Sequence, residues 1–318
     1  MPGLKPSKVI WHNGELIPWD QATVHVGTHV LHYGSSVFEG IRCYKTEHGS
    51  AVFRLREHTR RLVDSARIYR MPLQYDRDQL ADACLETIRA NEMEYCYIRP
   101  LVFRGFHSLG VNPLPCPVES YVMVWQWGSY LGEEALENGV DVKVSSWHRL
   151  APNTMPSQAK AGANYANAAL IKMEALREGY AEAIALTTSG YVSEGSGENI
   201  FIVRKGKLIT PPPADNILEG ITRDTVITLA RDELGIETVE RSIDRSELYV
   251  ADECFMTGTA AHVSAVIEVD RRPVGSGETG EITRRLQDLF FDAILGKNAT
   301  YSRWLTAVKP KTHAGVKA

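Results

Sequence analysis

Long apolar runs are missing from this sequence. None approaches the ~20 residues that a bilayer-crossing helix needs, so no membrane partner is expected. The N-terminal MPGLKPSKVIWHNGEL lacks the apolar centre of a secretory signal. Cysteine is scarce and scattered. Cys43, Cys84, Cys96, Cys116 and Cys254 are odd in number and form no C-x-x-C pair, which argues against a disulfide framework and for reduced thiols in the cytoplasm. Charge of one sign is lacking too. A formal net charge of −4 gives no pull toward nucleic acid or anionic lipid. No G-x-x-x-x-G-K-[ST], G-x-S-x-G or H-E-x-x-H occurs, and GSGENI lacks the last glycine of a dinucleotide loop. No internal repeat is evident.

What is present suits a two-domain globular enzyme. The chain has 318 residues, 44% hydrophobic and 23% charged. VIWHNGEL predicts a hairpin turning at Asn13-Gly14, and AVFRL a short strand. REHTRRLVDSARIYR predicts a helix with Leu55, Leu62, Ala66 and Tyr69 on one face, and DRDQLADACLETIRANE a second with Leu80, Cys84, Thr87 and Ile88 aligned. YCYIRPLVFRG and YVMVWQWG read as buried strands. The texture changes at GSYLGEEALENG. We therefore expect a small N-terminal domain over 1–129, an interdomain loop over 130–138, a larger strand-rich domain over 139–308 and a loose tail over 309–318. Within the larger domain, VDVKVSSW, EAIALTT, ECFMTG and HVSAVIEVD predict strands and NIFIVRKGKLIT a hairpin turning at Lys205-Gly206, with YVSEG and IETVERSI among them. Helices are expected from about Tyr165 to Glu178, over ITRDTVITLARDEL and from about Glu278 to Leu295. The fold class is α+β.

Five features carry chemistry. His25, His29 and His32 have a spacing that could bring imidazoles together on a metal, but no acidic segment completes such a site, so no metal is expected. Lys160 lies in PSQAKAGANYANAALIKMEALREG among Ala159, Ala161, Gly162 and Ala163, small residues that leave room for a planar ligand; an amine in a poorly solvated place is a nucleophile toward carbonyls. Tyr165 follows five residues on. In SGYVSEGSGENIF, Glu194 sits in a glycine- and serine-flanked bend, with Glu198 beyond, where an acid could face a cationic ring nitrogen. LEGITRDTVITLARDEL opens a helix with Thr222 available as a cap, and its first-turn amides make an anion site. FMTGTAAH runs a strand into a small-residue turn whose amides, with the Thr259 hydroxyl, could hold phosphate or carboxylate. An amine, a phenol, a carboxylate and two anion cradles together are what a phosphorylated pyridine aldehyde requires.

These residues resemble the class IV aminotransferases, fold type IV of the pyridoxal-phosphate enzymes, with the bacterial branched-chain amino acid aminotransferases as the nearest branch. The likeness runs from about VIWHNGEL to LQDLFFDAILG, on LHYGSSVFEGIRCY, FRLREHTRRL, YIRPLVFRG, SSWHRLAPNTMPSQAKAGANY, GYVSEGSGENIF, LEGITRD and FMTGTAA. It implies a two-domain fold and pyridoxal 5′-phosphate as cofactor. Lys160 is then the catalytic lysine, joined to the cofactor and moving the proton between substrate Cα and cofactor C4′. Glu194 faces the pyridine nitrogen and Tyr165 the ring 3-oxygen. Arg60, Leu218, Ile221, Thr222 and Thr259 complete the cofactor site, with Arg60 on the phosphate. The resemblance places the substrate α-carboxylate at Thr259 and Ala260, helped by Tyr97. It gives Arg99 and Tyr33 the distal carboxylate of glutamate, and Phe38, Trp127, Tyr130 and Val111 the apolar pocket. Tyr33, Leu109 and Val111 come from the neighbouring subunit, so a homodimer is implied at minimum, with a hexamer also open. The implied activity is transamination between leucine, isoleucine or valine and 2-oxoglutarate. D-amino acid aminotransferase, (R)-amine transaminase and aminodeoxychorismate lyase are the alternatives. His262 and Ser264 in GTAAHVSAV, and Arg104, Phe106 and His107 in FRGFHSLGVN, depart from the family pattern and leave substrate breadth open.

Overall fold

In the computed structural model, residues 4–128 and 133–308 are described, the side chains of 133–135 excepted. Strands β1 (Val9–His12) and β2 (Glu15–Pro18) form the first hairpin, with Asn13 and Gly14 at φ 45° and 99° in its turn. Next come the short helix α1 (His29–Tyr33) and strands β3 (Ser36–Phe38), β4 (Ile41–Thr46) and β5 (Gly49–Phe53). Helices α2 (Leu55–Ile68) and α3 (Arg77–Ala90) then pack on one another, followed by long strands β6 (Cys96–Arg104) and β7 (Val118–Trp125). Helix α2 buries Leu55, Leu62 and Ala66, and α3 buries Leu80, Cys84, Thr87 and Ile88, the stripes that a 3.6-residue period dictates. Asp76 starts α3 with a capping box to Gln79.

Helix α4 (Glu133–Asn138) leads into the second sheet, which runs through β8 (Val140–Val144), helix α5 (Asn164–Arg177), β9 (Glu182–Leu186), β10 (Val192–Gly195), β11 (Asn199–Arg204) and β12 (Lys207–Thr210). It continues with α6 (Ile221–Leu234), β13 (Thr238–Glu240), β14 (Glu253–Gly258), β15 (His262–Val269), β16 (Arg272–Pro273) and α7 (Glu281–Ile294). A last strand, β17 (Leu305–Ala307), follows.

Among the described residues, the first sheet has the order β17-β5-β4-β6-β7-β1-β2, with β3 beside β6. The second has the order β10-β9-β8-β15-β14-β11-β12-β13, with β16 on β15. The two sheets therefore divide between Trp125 and Val140. Strand β17 departs from the division of the chain at 139–308. It returns to the first sheet and pairs with β5, Thr306 against Val52. A shared apolar cluster explains the return. Tyr44 and Phe53 of the first sheet pack with Phe201, Phe255, Leu286, Phe290, Tyr301 and Trp304. The tail at 309–318 lies outside the described residues.

One buried charge cluster ties β3 and β4 to α2. Glu39, fully buried, accepts from Arg61 Nε at 2.6 Å, from Arg61 Nη2 at 2.9 Å and from His58 Nδ1 at 2.7 Å. Burial alone would raise the Glu39 carboxyl. The two-pronged Arg61 guanidinium, with His58, outweighs that and holds the group well below the usual carboxylate range. Burial pushes His58 down, so it donates as a neutral imidazole. Since Glu39 titrates lower in the folded chain, its stabilisation is complete above the unfolded value of about 4.5 and is lost as pH falls through the folded one. Glu39→Gln is therefore expected to cost about 3–5 kcal/mol near pH 7. The deficit should shrink by about pH 3.5. Urea denaturation of both proteins across this range checks it, and a deficit independent of pH contradicts it.

Candidate active site

Between the sheets lies a cavity of about 530 Å³, within the size range of small-molecule sites. Both sheets contribute to its wall. The segment carrying Lys160 crosses from the second to the first. Lys160 N donates to Ser65 Oγ of α2 at 3.0 Å, its carbonyl accepts from Phe38 N at 3.0 Å, and Ala161 bridges Val37. The small neighbours serve this crossing, and Ala159 also lines the cavity. Ala159 and Ala161 are buried against Val37, Leu62 and Ala66. A Cβ on Gly162 would lie 2.3 Å from Ser36 Oγ. The Lys160 side chain is left to point into the cavity, where Nζ meets the Tyr165 hydroxyl at 2.6 Å. Tyr165 sits in the first turn of α5, and Phe38 packs edge-on against its ring.

Glu194 on β10 faces the same cavity. Its Oε1 pairs with Arg149 at 2.7 Å, and its Oε2 accepts from Leu218 N at 3.0 Å and Asn199 Nδ2 at 3.2 Å. Burial pushes its carboxyl up, while Arg149 and the Leu218 amide oppose the shift. Glu198, also on the wall, has its carboxyl pushed up by burial and by Glu182, which favours its protonated form. Gly220 has no room for a side chain, since a Cβ would fall 1.9 Å from Asn199 Oδ1.

Two sets of backbone amides line the far wall. Gly220 caps α6, so Thr222 is the second helical residue and makes no side-chain cap, unlike the cap expected from its sequence position. The amides of Ile221 and Thr222 are first-turn donors without an intrahelical acceptor. At the turn after β14, no backbone acceptor is found among the described residues for the amides of Thr259 and Ala260. Thr257 Oγ1, buried beside them, has no partner either. Buried donors left this way are satisfied by a ligand or by water. Together with the Lys160 amine and the Glu194 acid, they fit a phosphorylated pyridine aldehyde.

Of the residues expected here, Phe38, Tyr97, Arg99, Trp127, Lys160, Tyr165, Glu194, Leu218, Ile221, Thr222, Thr259 and Ala260 all line the cavity. Arg60 does not. Its side chain is 76% exposed and lies 3.8 Å from Asp64 on the outer face of α2. The arginine of α2 that lines the cavity is Arg61, whose Nη1 also donates to the Glu219 carbonyl at 2.8 Å. Helical phase explains the correction: His58, Arg61 and Ser65 share a face three and four residues apart, and Arg60 is turned away. Tyr130 lies outside the described residues. Tyr33, Leu109 and Val111 are exposed and absent from this chain's cavity wall; Tyr33 Oη donates to the Leu109 carbonyl at 2.7 Å. The three histidines do not converge. His29 contacts Ser35 and the Gly110 carbonyl, His32 the Val26 carbonyl, and His25 accepts from Gly27 N. Among the described residues no metal-holding cluster occurs. Arg42, Glu39, Arg149 and Asn199 were not anticipated. FEGIR and GENIF hold three of them and SSWHRL the fourth, but no spacing rule marks them.

A family model described as amino-transferase class IV matches residues 36–269. The branched-chain-amino-acid aminotransferase of Escherichia coli (strain K12) is 51% identical over 306 residues, covering 96% of this chain and 98% of that protein. A crystal structure of the Escherichia coli enzyme superposes with a TM-score of 0.93 at 50% identity, covering 96% of this chain and 100% of that one. A T.th. branched-chain amino acid aminotransferase complexed with N-(5′-phosphopyridoxyl)-L-glutamate gives a TM-score of 0.91 at 46% identity, covering 95% of this chain and 99% of that one. The Thermobaculum terrenum enzyme in its PLP form gives 0.89 at 39% identity, covering 96% of this chain and 99% of that one. With a match of this extent along nearly its whole length, the chain belongs to the class IV aminotransferase family.

Proposed function

We propose that this chain transfers amino groups between branched-chain L-amino acids (leucine, isoleucine, valine) and 2-oxoglutarate, with pyridoxal 5′-phosphate as cofactor. The observation that carries this reading is Arg99. Its Nε is buried without an acceptor, and its guanidinium lies 4.6 Å from the Phe38 ring centroid, 5.6 Å from that of Tyr97 and 5.8 Å from that of Trp125. An aromatic wall selects aliphatic side chains by burial, at about 0.8 kcal/mol per CH₂. A cation in that wall with a donor to spare admits glutamate as well, by pairing with its second carboxylate. The relative holding a phosphopyridoxyl-glutamate adduct supports the same pairing of substrates.

The remaining roles belong to the same proposal. Lys160 supplies the amine that anchors the cofactor and the base that moves the substrate Cα proton, and the Tyr165 hydroxyl sits at hydrogen-bond distance from that nitrogen. Arg61, with the Ile221 and Thr222 amides and the Thr259 hydroxyl, holds the phosphate. Glu194, aligned by Arg149, Asn199 and the Leu218 amide, faces the ring nitrogen. A pyridoxal ring held with its nitrogen toward Glu194 would supply an electron sink for the proton removal at Cα. The Thr259–Ala260 turn and Tyr97 receive the α-carboxylate. Tyr33, Leu109 and Val111 of a second copy complete the pocket, so the working unit is a homodimer at minimum. A cytoplasmic setting suits the five unpaired, buried thiols.

A donor panel with 2-oxoglutarate, read by glutamate formation, tests the reading. L-leucine, L-isoleucine and L-valine are expected to react, while D-alanine and an (R)-amine fall far behind. Arg99→Ala is expected to reduce kcat/KM for glutamate about tenfold or more below its effect on leucine. Equal losses on both donors, or D-alanine as the better substrate, contradict it.

A further inference from the structure

A second hollow opens on the first domain and shares no lining residue with the Lys160 cavity. It is an open cleft of about 510 Å³ where the end of α2, the chain leading to α3 and the last residue of β6 meet. Its floor is aliphatic. Val63, Met71 and Leu73 continue the core cluster that also packs Ala159 and Ala161. The exposed Leu114 forms part of the wall, and Arg67, Arg70 and Arg104 complete it. Among the described residues no acid lines the cleft, and none of the three guanidiniums pairs with a carboxylate.

The backbone around these arginines is tightly specified. Helix α2 ends in a left-handed turn: Arg70 N donates to the Arg67 carbonyl at 3.0 Å and Met71 N to the Ala66 carbonyl at 2.9 Å, with Arg70 at φ 51°. That position favours glycine, yet this chain places an arginine there, on the wall of the cleft. Arg104, at 2% exposure, donates from Nη1 to the Cys116 carbonyl at 3.2 Å and from Nη2 to the Arg70 carbonyl at 2.5 Å. Its Nε is buried without an acceptor. Burial disfavours the charged guanidinium and pushes the group down, with no carboxylate to oppose it. The C-terminal end of α2 offers only about half a negative charge against three cations. Attraction for an anion is therefore left over, and the planar fork of a guanidinium suits a carboxylate.

The aliphatic floor gives a bare inorganic anion nothing, and the arginines give a neutral chain nothing. We propose that this cleft is a second binding site, separate from the active site, for a small aliphatic carboxylate: the chain lies on Val63, Met71 and Leu73, and the carboxylate faces Arg104 and its two neighbours. Arg104 also holds the Cys116 carbonyl, and Leu114 stands beside it on the wall. A ligand here thus sits at the root of the segment between β6 and β7 that carries Leu109 and Val111. An arginine that served only to hold two carbonyls would bind nothing beyond them. The two roles differ in how many ligands each chain takes up.

Equilibrium dialysis of radiolabelled 4-methylpentanoate against the holoenzyme, Arg104→Leu and Arg70→Gly counts the equivalents bound per chain. Arg70→Gly suits the left-handed turn and removes one charge, so it reads the site even where Arg104→Leu folds poorly; the visible spectrum of the bound cofactor checks both variants. Arg104→Leu is expected to weaken one class of sites, about one equivalent per chain, by about tenfold or more, and Arg70→Gly to weaken the same class about threefold or more. Neither 4-methylpentanamide nor inorganic phosphate at equal concentration is expected to displace the ligand from it. Equal stoichiometry and affinity in the parent and both variants overturns the proposal. Displacement by the amide, which removes the need for charge, or by phosphate, which marks a general anion patch, overturns it as well. Any equivalent that survives in Arg104→Leu belongs to the active site, so a failure of the substrate reading leaves the count at the cleft legible.

Discussion

The backbone of Lys160 is held by a domain to which it does not belong in sequence. Its amide and carbonyl are bonded to Ser65 of α2 and to Phe38 of β3, while the chain on either side leads from β8 to α5 of the second sheet. That crossing sets the distance between the reactive amine and everything else. It is possible only because Ala159, Ala161 and Gly162 let the main chain approach the first domain closely. A larger side chain at any of them would lift the lysine off its support before it touched a ligand. The precision of the site thus comes from main-chain packing beneath the amine, the arrangement that holds a reacting group in place at least cost in mobility.

Around this anchor the molecule places four arginines for four purposes, and their partners tell them apart. Arg61 is neutralised by Glu39 and so is oriented but electrically quiet until a further anion arrives. Arg149 is paired with Glu194 and opposes the burial that would otherwise neutralise that acid. Arg42 is satisfied by carbonyls and keeps its charge. Arg99 is stacked on aromatic rings with a donor unpaired. Guanidinium suits all four because it is planar, permanently charged and forked, so it can be aimed. Glu198 shows the converse. Crowded by burial and by Glu182, its carboxyl is pushed up toward the neutral form, which favours less negative charge on the wall beside Glu194.

Much of this was legible in the sequence because local rules and the final structure agree. The stripes of α2 and α3, the Asn13-Gly14 and Lys205-Gly206 turns and the apolar strands β6 and β7 all follow from periodicity or turn chemistry. The failures have physical reasons too. Arg60 and Arg61 are adjacent in sequence but about 100° apart around a helix, so choosing between them needs the phase set by His58 and Ser65. The small residues beside Lys160 pointed to space, and Ala159 does line the cavity, but they also serve close packing against the first domain, which composition does not reveal. The return of β17 to the first sheet, Thr306 against Val52, depends on contacts far apart in sequence. So do Arg42 and Arg149, each recognisable only once the oxygens around it are placed.

The most direct measurement concerns the bond on which the whole site converges. Protein incubated with pyridoxal 5′-phosphate, reduced with borohydride and digested should carry the phosphopyridoxyl group on the peptide containing Lys160, and on no other in stoichiometric amount. Label spread over several surface lysines, or absent from that peptide, would contradict the account.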